Sequence, residues 1–70
     1  MTPEQIENIF TYHAPHGTQQ ARYVTIRDEA KSLAYRINND CPESREKSLA
    51  LTLLQQAVQM ANASIAIHEV

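Results

Sequence analysis

The residues best suited to chemistry lie together near the start of the chain, in the stretch FTYHAPHGTQQARY (residues 10–23). This stretch holds three of the four aromatic residues, two of the three histidines and the only glycine of a 70-residue chain. The flat side chains of Tyr12, His13 and His16 can stack on a nucleobase, a contact worth roughly 1–3 kcal/mol per base. Pro15 and the glycine restrict the shape of the segment. The stretch therefore predicts a shaped loop that can hold a flat ring.

A cationic stripe follows this loop in the sequence. Arg27 and Lys31 are four residues apart and so lie on one face of a helix, and Arg22 is within two turns of them. Such cations can bind the phosphates of a small anionic nucleotide. Two alternatives stay open: the charges are solvated and partly neutralised by the adjacent acidic residues, and the loop tyrosine is a hydrophobic plug.

A second polar cluster is SREKSLALT, residues 44–52. Arg45, Ser48 and Thr52 lie in the first turns of a predicted helix, where backbone N–H groups and the helix dipole favour anions. In an oligomer this cluster can meet its symmetry mates. The simpler explanation is that Ser44 caps the helix and the charges are solvated.

Catalytic and metal-binding patterns are weak. The acidic residues are scattered, Cys41 lies beside a proline without a placed base, and there is no glycine-rich phosphate loop. His13 and His16, with His68 as a third ligand, offer an incomplete metal site, because thiolate or carboxylate ligands usually accompany histidines. We therefore expect no enzyme, no metal and no cofactor.

A short helix and a loop must position the first cluster. Thr2 suits a helix cap, Pro3 suits the first turn, and Gln5 is at the capping-box position. These residues predict a helix that ends at about Phe10. A loop over residues 11–18 follows, because proline and glycine break the helical pattern.

Two long helices are predicted after the loop. Apolar residues at alternating spacings of three and four indicate a helix from Gln19 to about Asn39. Turn-forming residues 38–42 interrupt it, and a second helix is expected from about Pro42 to His68. Since the connection is short, the two helices form an antiparallel hairpin. The predicted fold class is all-α: a short N-terminal helix, a loop and two long antiparallel helices.

The second long helix carries more apolar surface than one partner helix can cover. Its first apolar stripe is Leu51, Leu54, Val58, Ala61 and Ile65, and its second is Leu49, Leu53, Ala57, Met60 and Ile67. A domain of this size buries only about 60% of its unfolded surface, and a single cysteine excludes an internal disulfide. We expect a compact homo-oligomer, and a two-helix monomer with a wide apolar face is the alternative.

The composition of the chain limits the classes of partner that we expect it to bind. The net charge of −2 and the pI near 5.8 argue against binding duplex nucleic acid by charge. No apolar run approaches the ~18 residues of a membrane span, and the N-terminus lacks the basic start of a signal peptide. The lone thiol fits a reducing cytosol. We expect a cytoplasmic protein with no membrane and no duplex nucleic acid among its partners.

Four motifs occur in order along nearly the whole chain: YHAP, ARY..IR..AK.LA, SREKSLALT.LQ.AV and ANASIA. In these motifs the chain resembles the phage anti-CBASS cyclic-nucleotide sponges, whose hairpin domain is shared with anti-Thoeris sponges. The resemblance implies one hairpin domain, residues 1–70, that assembles as a homohexamer in the cytoplasm of an infected bacterium. It also implies binding of cyclic di- and trinucleotide messengers without cleavage, which blocks CBASS effectors.

The resemblance also implies two ligand sites. In the family, cyclic dinucleotides bind in pockets shared by two protomers, through a loop tyrosine and cations of the following helix. With three residues added from their position in the loop, the assigned set is Tyr12, His13, Pro15, His16, Arg27 and Lys31. A cyclic trinucleotide site where three protomers meet would use Arg45, Ser48 and Thr52. The alternatives are a helical adaptor protein and, less favoured, a phosphodiesterase.

Overall fold

Three α-helices make up the protein, which is described over residues 1–69 in a computed structural model. The helices are α1 (Pro3–Ile9), α2 (Gln19–Asp40) and α3 (Arg45–His68). No strand occurs within residues 1–69. The all-α prediction is therefore confirmed.

Helix α1 begins at the predicted capping box. The Thr2 hydroxyl accepts a hydrogen bond from the Gln5 backbone N–H (3.1 Å), and the Gln5 side-chain oxygen accepts one from the Thr2 N–H (2.8 Å). These reciprocal bonds satisfy two of the N–H groups that a helix start leaves unpaired. The helix ends at Ile9, with Phe10 as its C-cap.

Helix α2 ends one residue beyond the predicted end at about Asn39. The predicted turn residues 38–40 belong to the last turn of the helix, where Arg36 pairs with Asp40. The chain leaves the helix only at Cys41, whose backbone is extended (φ −100°, ψ 136°). Pro42 explains this position, because a proline disfavours helical geometry in the residue before it.

Helix α3 begins three residues later than predicted, at Arg45 and not at Pro42. Ser44 is the N-cap, and its hydroxyl accepts a hydrogen bond from the Lys47 N–H (3.1 Å). A proline in the first turn and a serine cap are both good helix starts, and here the serine cap prevails. Glu43 lies just outside the helix and forms an ion pair with Lys47.

The two long helices form an antiparallel hairpin, as predicted. Residues 41–44 connect them at one end. At the other end the side-chain amide of Gln19, the first residue of α2, donates to the carbonyl of Ile65 near the end of α3 (3.4 Å). The hairpin therefore places the start of α2 beside the end of α3.

Residues 1–69 of a single chain form no hydrophobic core. Within residues 1–69 no apolar side chain is buried, and the two buried residues are Gln19 and Lys47. The Cα atoms extend 45 × 28 × 12 Å with a radius of gyration of 15.2 Å, against about 11 Å for a compact globule of this length. The first stripe of α3 is half-buried against α2, whereas Leu49, Leu53 and Met60 of the second stripe are 46–67% exposed. Assembly with other copies stays a prediction.

Candidate functional site

A surface cavity of about 390 Å³ lies between the two long helices. Cavities that bind small molecules typically measure about 300–1,000 Å³. Arg27 and Lys31 line it from α2, and Gln55 and Gln59 line it from α3. Apolar side chains, among them Leu54 and Val58, complete the wall.

The two cations of this cavity differ from the other four in the chain. Four of the six Lys and Arg residues pair with carboxylates: Arg22 with Glu69, Arg36 with Asp40, Arg45 with Glu46, and Lys47 with Glu43. Within residues 1–69, Arg27 and Lys31 have no such partner. Both residues are exposed, so the alternative that their charges are solvated stays open, and a role in binding an anion stays a prediction.

The facing wall adds hydrogen-bonding amides. Gln55 and Gln59 are four residues apart on α3 and so share one face of the helix. A carboxamide offers one acceptor and two donors, which match the edges of purine bases. The exposed surface of the cavity is nearly all apolar, so the two cations and the two glutamines line it chiefly through the carbon atoms of their side chains.

The loop that carries Tyr12 lies outside this cavity. The Tyr12 side chain is 84% exposed and makes no hydrogen bond within residues 1–69. Gly17 has a positive φ of 56°, a conformation that glycine adopts readily, so it lets the loop turn into α2. Pro15 is exposed. Within one chain the predicted loop residues and the predicted cations are therefore not brought into one pocket.

Both loop histidines bind backbone carbonyls. His13 Nε2 lies 2.7 Å from the Asn8 carbonyl oxygen, and His16 Nε2 lies 2.8 Å from that of Glu69. Because a carbonyl oxygen only accepts, each ring carries a proton on Nε2 and donates it. Within residues 1–69 no group of three His, Cys, Asp or Glu side chains is placed to hold a metal. The imidazoles hold the loop in place, and ligand binding by them stays a prediction.

A set of contacts at the end of α3 was not foreseen from the sequence. We name Gln19, Arg22 and Glu69 the C-terminal anchor. The two terminal nitrogens of Arg22 donate to the two carboxylate oxygens of Glu69, at 2.8 and 2.5 Å. Gln19 is only 2% exposed, and its side chain bonds both the Ile65 carbonyl and, through Oε1, the His16 N–H (3.2 Å). These contacts fix the loop to α3.

The pairing of Arg22 with Glu69 shifts the pKa values of both side chains. The hydrogen bonds from Arg22 lower the pKa of the Glu69 carboxyl to about 2, and Gln19 and His16 act in the same direction. The same hydrogen bonding raises the pKa of Arg22 above its ordinary value. Arg22 was predicted to belong to the cationic stripe, but its guanidinium is occupied by Glu69. The antiparallel hairpin brings residue 22 near residue 69, and this contact could have been predicted from that arrangement.

The second predicted cluster lies on one exposed face of α3. Arg45, Ser48 and Thr52 are spaced three and four residues apart, and all three are exposed. The Thr52 hydroxyl donates to the Ser48 carbonyl (3.1 Å), and Arg45 lies 4.0 Å from Glu46. The structure thus brings these residues to one surface, and a role in ligand binding stays a prediction.

Within residues 1–69, none of the helices combines the length and the apolar composition that a membrane span requires.

Comparison with models of known protein families gives a match. The family model described as the Acb2/Tad1 hairpin domain matches residues 2–66. No curated protein and no solved structure matches the chain. Since the matched residues make up nearly all of its length, the chain belongs to the Acb2/Tad1 hairpin family of anti-CBASS and anti-Thoeris sponges, which bind cyclic nucleotides and are not enzymes.

Proposed function

We propose that this chain is a phage-encoded sponge that binds cyclic dinucleotides and also cyclic trinucleotides without cleaving them. It acts in the cytoplasm of the infected bacterium. By lowering the concentration of free messenger, it keeps CBASS effectors from being activated.

The cavity between α2 and α3 carries the proposal for dinucleotides. Its two cations, Arg27 and Lys31, have no carboxylate partner within residues 1–69. A cyclic dinucleotide has two phosphates, and each can accept charge-assisted hydrogen bonds from one cation. The apolar wall then faces the bases, and Gln55 and Gln59 face their polar edges.

A second copy of the chain completes the pocket. Tyr12 is exposed and lies outside the cavity of its own chain, which supports a pocket in which it stacks on a base held by another protomer. Pro15, His13 and His16 border the ligand from the same loop. The exposed second stripe of α3 supports the contact between copies, and the assembly is a homohexamer.

Cyclic trinucleotides bind elsewhere, where three protomers meet. Arg45, Ser48 and Thr52 supply this site because they share one exposed face near the start of α3. Arg45 is only loosely held by Glu46, at 4.0 Å. Its guanidinium can therefore turn towards a phosphate at little cost.

The mechanism is stoichiometric capture. A sponge needs slow dissociation and abundance, and it does not need to stabilise a transition state. Bound messenger is released unchanged when the protein is denatured.

Isothermal titration with 3′,3′-cyclic GMP-AMP and with cyclic tri-AMP tests the proposal, followed by denaturation and chromatography of the released ligand. We expect saturable binding of both messengers, additive in the same sample, and recovery of each intact. The linear dinucleotide pGpA serves as the matched ligand control and should bind far more weakly. Absence of binding to both messengers, or recovery of opened product, would reject the proposal.

A helical adaptor is the second candidate, and the exposed apolar residues Leu49, Leu53 and Met60 favour it. This function predicts that Tyr12→Ala alters stability or protein binding while no cyclic nucleotide binds to any variant. The same titration therefore separates the two candidates.

A further inference from the structure

The last turn of α3 is held by side chains from the other end of the sequence. The last carbonyls of a helix have no partner within the helix. Here the carbonyl of Ile67 accepts a hydrogen bond from the Asn8 side chain (2.9 Å), and that of Glu69 accepts one from His16 Nε2 (2.8 Å). The segment before α2 thus depends on the end of α3 for its position.

Hydrogen bonds hold the loop on both sides of Tyr12. On one side, the Thr11 hydroxyl donates to the Glu7 carbonyl (2.5 Å). On the other, His13 donates to the Asn8 carbonyl (2.7 Å). Tyr12 is therefore an exposed ring on a backbone that its neighbours fix.

Arg22 and Glu69 join the start of α2 to the end of α3, and the Glu69 carbonyl in turn holds His16 of the loop. Both side chains are about 40% exposed, and two parallel hydrogen bonds join them. A bidentate pair fixes orientation as well as distance. Gln19, on the same side of the hairpin, reaches the His16 N–H and the Ile65 carbonyl. The C-terminal anchor thus sets where the loop stands on the hairpin.

We propose that Arg22 and Glu69 are positioning residues for ligand binding: their pairing holds the loop so that Tyr12 is presented in its binding orientation before the messenger arrives. This role rests on the proposed function. An ordered loop increases affinity because less conformational freedom is lost on binding. In this role Arg22 acts through the loop, because Glu69 holds its guanidinium by two parallel hydrogen bonds.

The test uses Glu69→Gln in the full chain, with 3′,3′-cyclic GMP-AMP as the probe. We expect affinity to fall roughly tenfold, equivalent to about 1.4 kcal/mol, and hydrogen exchange of the loop amides to accelerate. Exchange of the charges, Arg22→Glu with Glu69→Arg, should restore most of the affinity. Asp40→Asn is the matched control, because it breaks an exposed Arg–carboxylate pair at the other end of the hairpin, and it should leave affinity unchanged.

A double-mutant cycle with Tyr12→Ala separates positioning from general stabilisation. If Glu69 acts through Tyr12, Glu69→Gln should change affinity by less than about twofold when Tyr12 is already absent, because coupled residues are not additive. The same tenfold loss in both backgrounds, or wild-type affinity in Glu69→Gln, would overturn the positioning role while the sponge function stands. If the wild-type chain binds no cyclic nucleotide, the sponge function itself fails and this role fails with it.

Discussion

At the scale of single residues, carboxylate pairing distinguishes the two cavity cations from the other four Lys and Arg residues. Arg27 and Lys31 have no carboxylate partner within residues 1–69, whereas Arg36, on the same helix, pairs with Asp40. The overall composition does not reveal this difference between the cations, since the chain has a net charge of −2. The positions of the carboxylate partners distinguish the two cavity cations, and the number of charges does not.

Removing one unpaired cation should therefore weaken messenger binding. We expect Arg27→Gln and Lys31→Gln each to reduce affinity for 3′,3′-cyclic GMP-AMP by about 10- to 100-fold, because a hydrogen bond to a charged group contributes roughly 1.5–3 kcal/mol. Arg36→Gln is the matched control and should change affinity less than twofold. Isothermal titration measures all three. Equal losses in all three variants would contradict a specific role for the cavity cations.

The contribution of the Arg22–Glu69 pair to folding stability should change with pH only in the acid range. Folding lowers the pKa of Glu69 from an ordinary 4.5 to about 2, so its contribution to stability is complete above about pH 4.5 and is lost as the pH falls towards 2. We expect the stability difference between the wild-type chain and Glu69→Gln to be constant at neutral pH and to shrink across that window. Chemical denaturation at a series of pH values measures it. A difference that grows as the pH falls would contradict the assignment.

At the scale of helices, local chemistry decides the boundaries. The sequence predicted the capping box of α1 and the hairpin correctly, because both follow from short-range patterns. It misplaced the start of α3, because Pro42 and Ser44 are both suitable helix starts within three residues. It missed the contacts of Gln19 and Glu69, because they join residues 46 or more positions apart, which no local pattern encodes.

Loss of the serine cap should destabilise α3 without affecting ligand binding at the cavity. Ser44→Ala removes the hydrogen bond to the Lys47 N–H, and we expect it to cost about 1 kcal/mol of unfolding free energy. Ser32→Ala, at an exposed position within α2, is the matched control and should change stability by less than about 0.5 kcal/mol. Thermal and chemical denaturation measure both. Equal stability of the two variants would show that α3 begins elsewhere.

At the scale of the whole molecule, the hairpin and the loop contribute different halves of the proposed site. The cations lie between the long helices, and Tyr12 lies outside their cavity. The sequence predicted these residues as ligand-binding but did not predict their separation within one chain, since separation depends on how the loop folds against α3. The proposed shared pocket joins the halves from different copies.

If copies assemble through the second stripe of α3, a charge placed there should disrupt the assembly. Leu53 is 54% exposed, so Leu53→Lys would have little effect on an isolated hairpin. In an oligomer it should lower the thermal midpoint and shift the protein to smaller species in sedimentation. Gln56→Lys, at an exposed position on the same helix, is the control. Identical sedimentation of Leu53→Lys and the wild-type chain would exclude this stripe as the contact.

The 12 Å thickness of the chain also bears on how its sequence can change. In a larger protein, interior neighbours repack around a substitution and ligand contacts vary separately on the surface. Here the described residues include no apolar interior, so a substitution in the second stripe of α3 alters a largely exposed surface. In the proposed assembly, compensation must then come from another copy or from the ligand. If that assembly forms, a few exposed side chains can change the ligand preference, whereas changes along this stripe must remain compatible with every copy that packs on it.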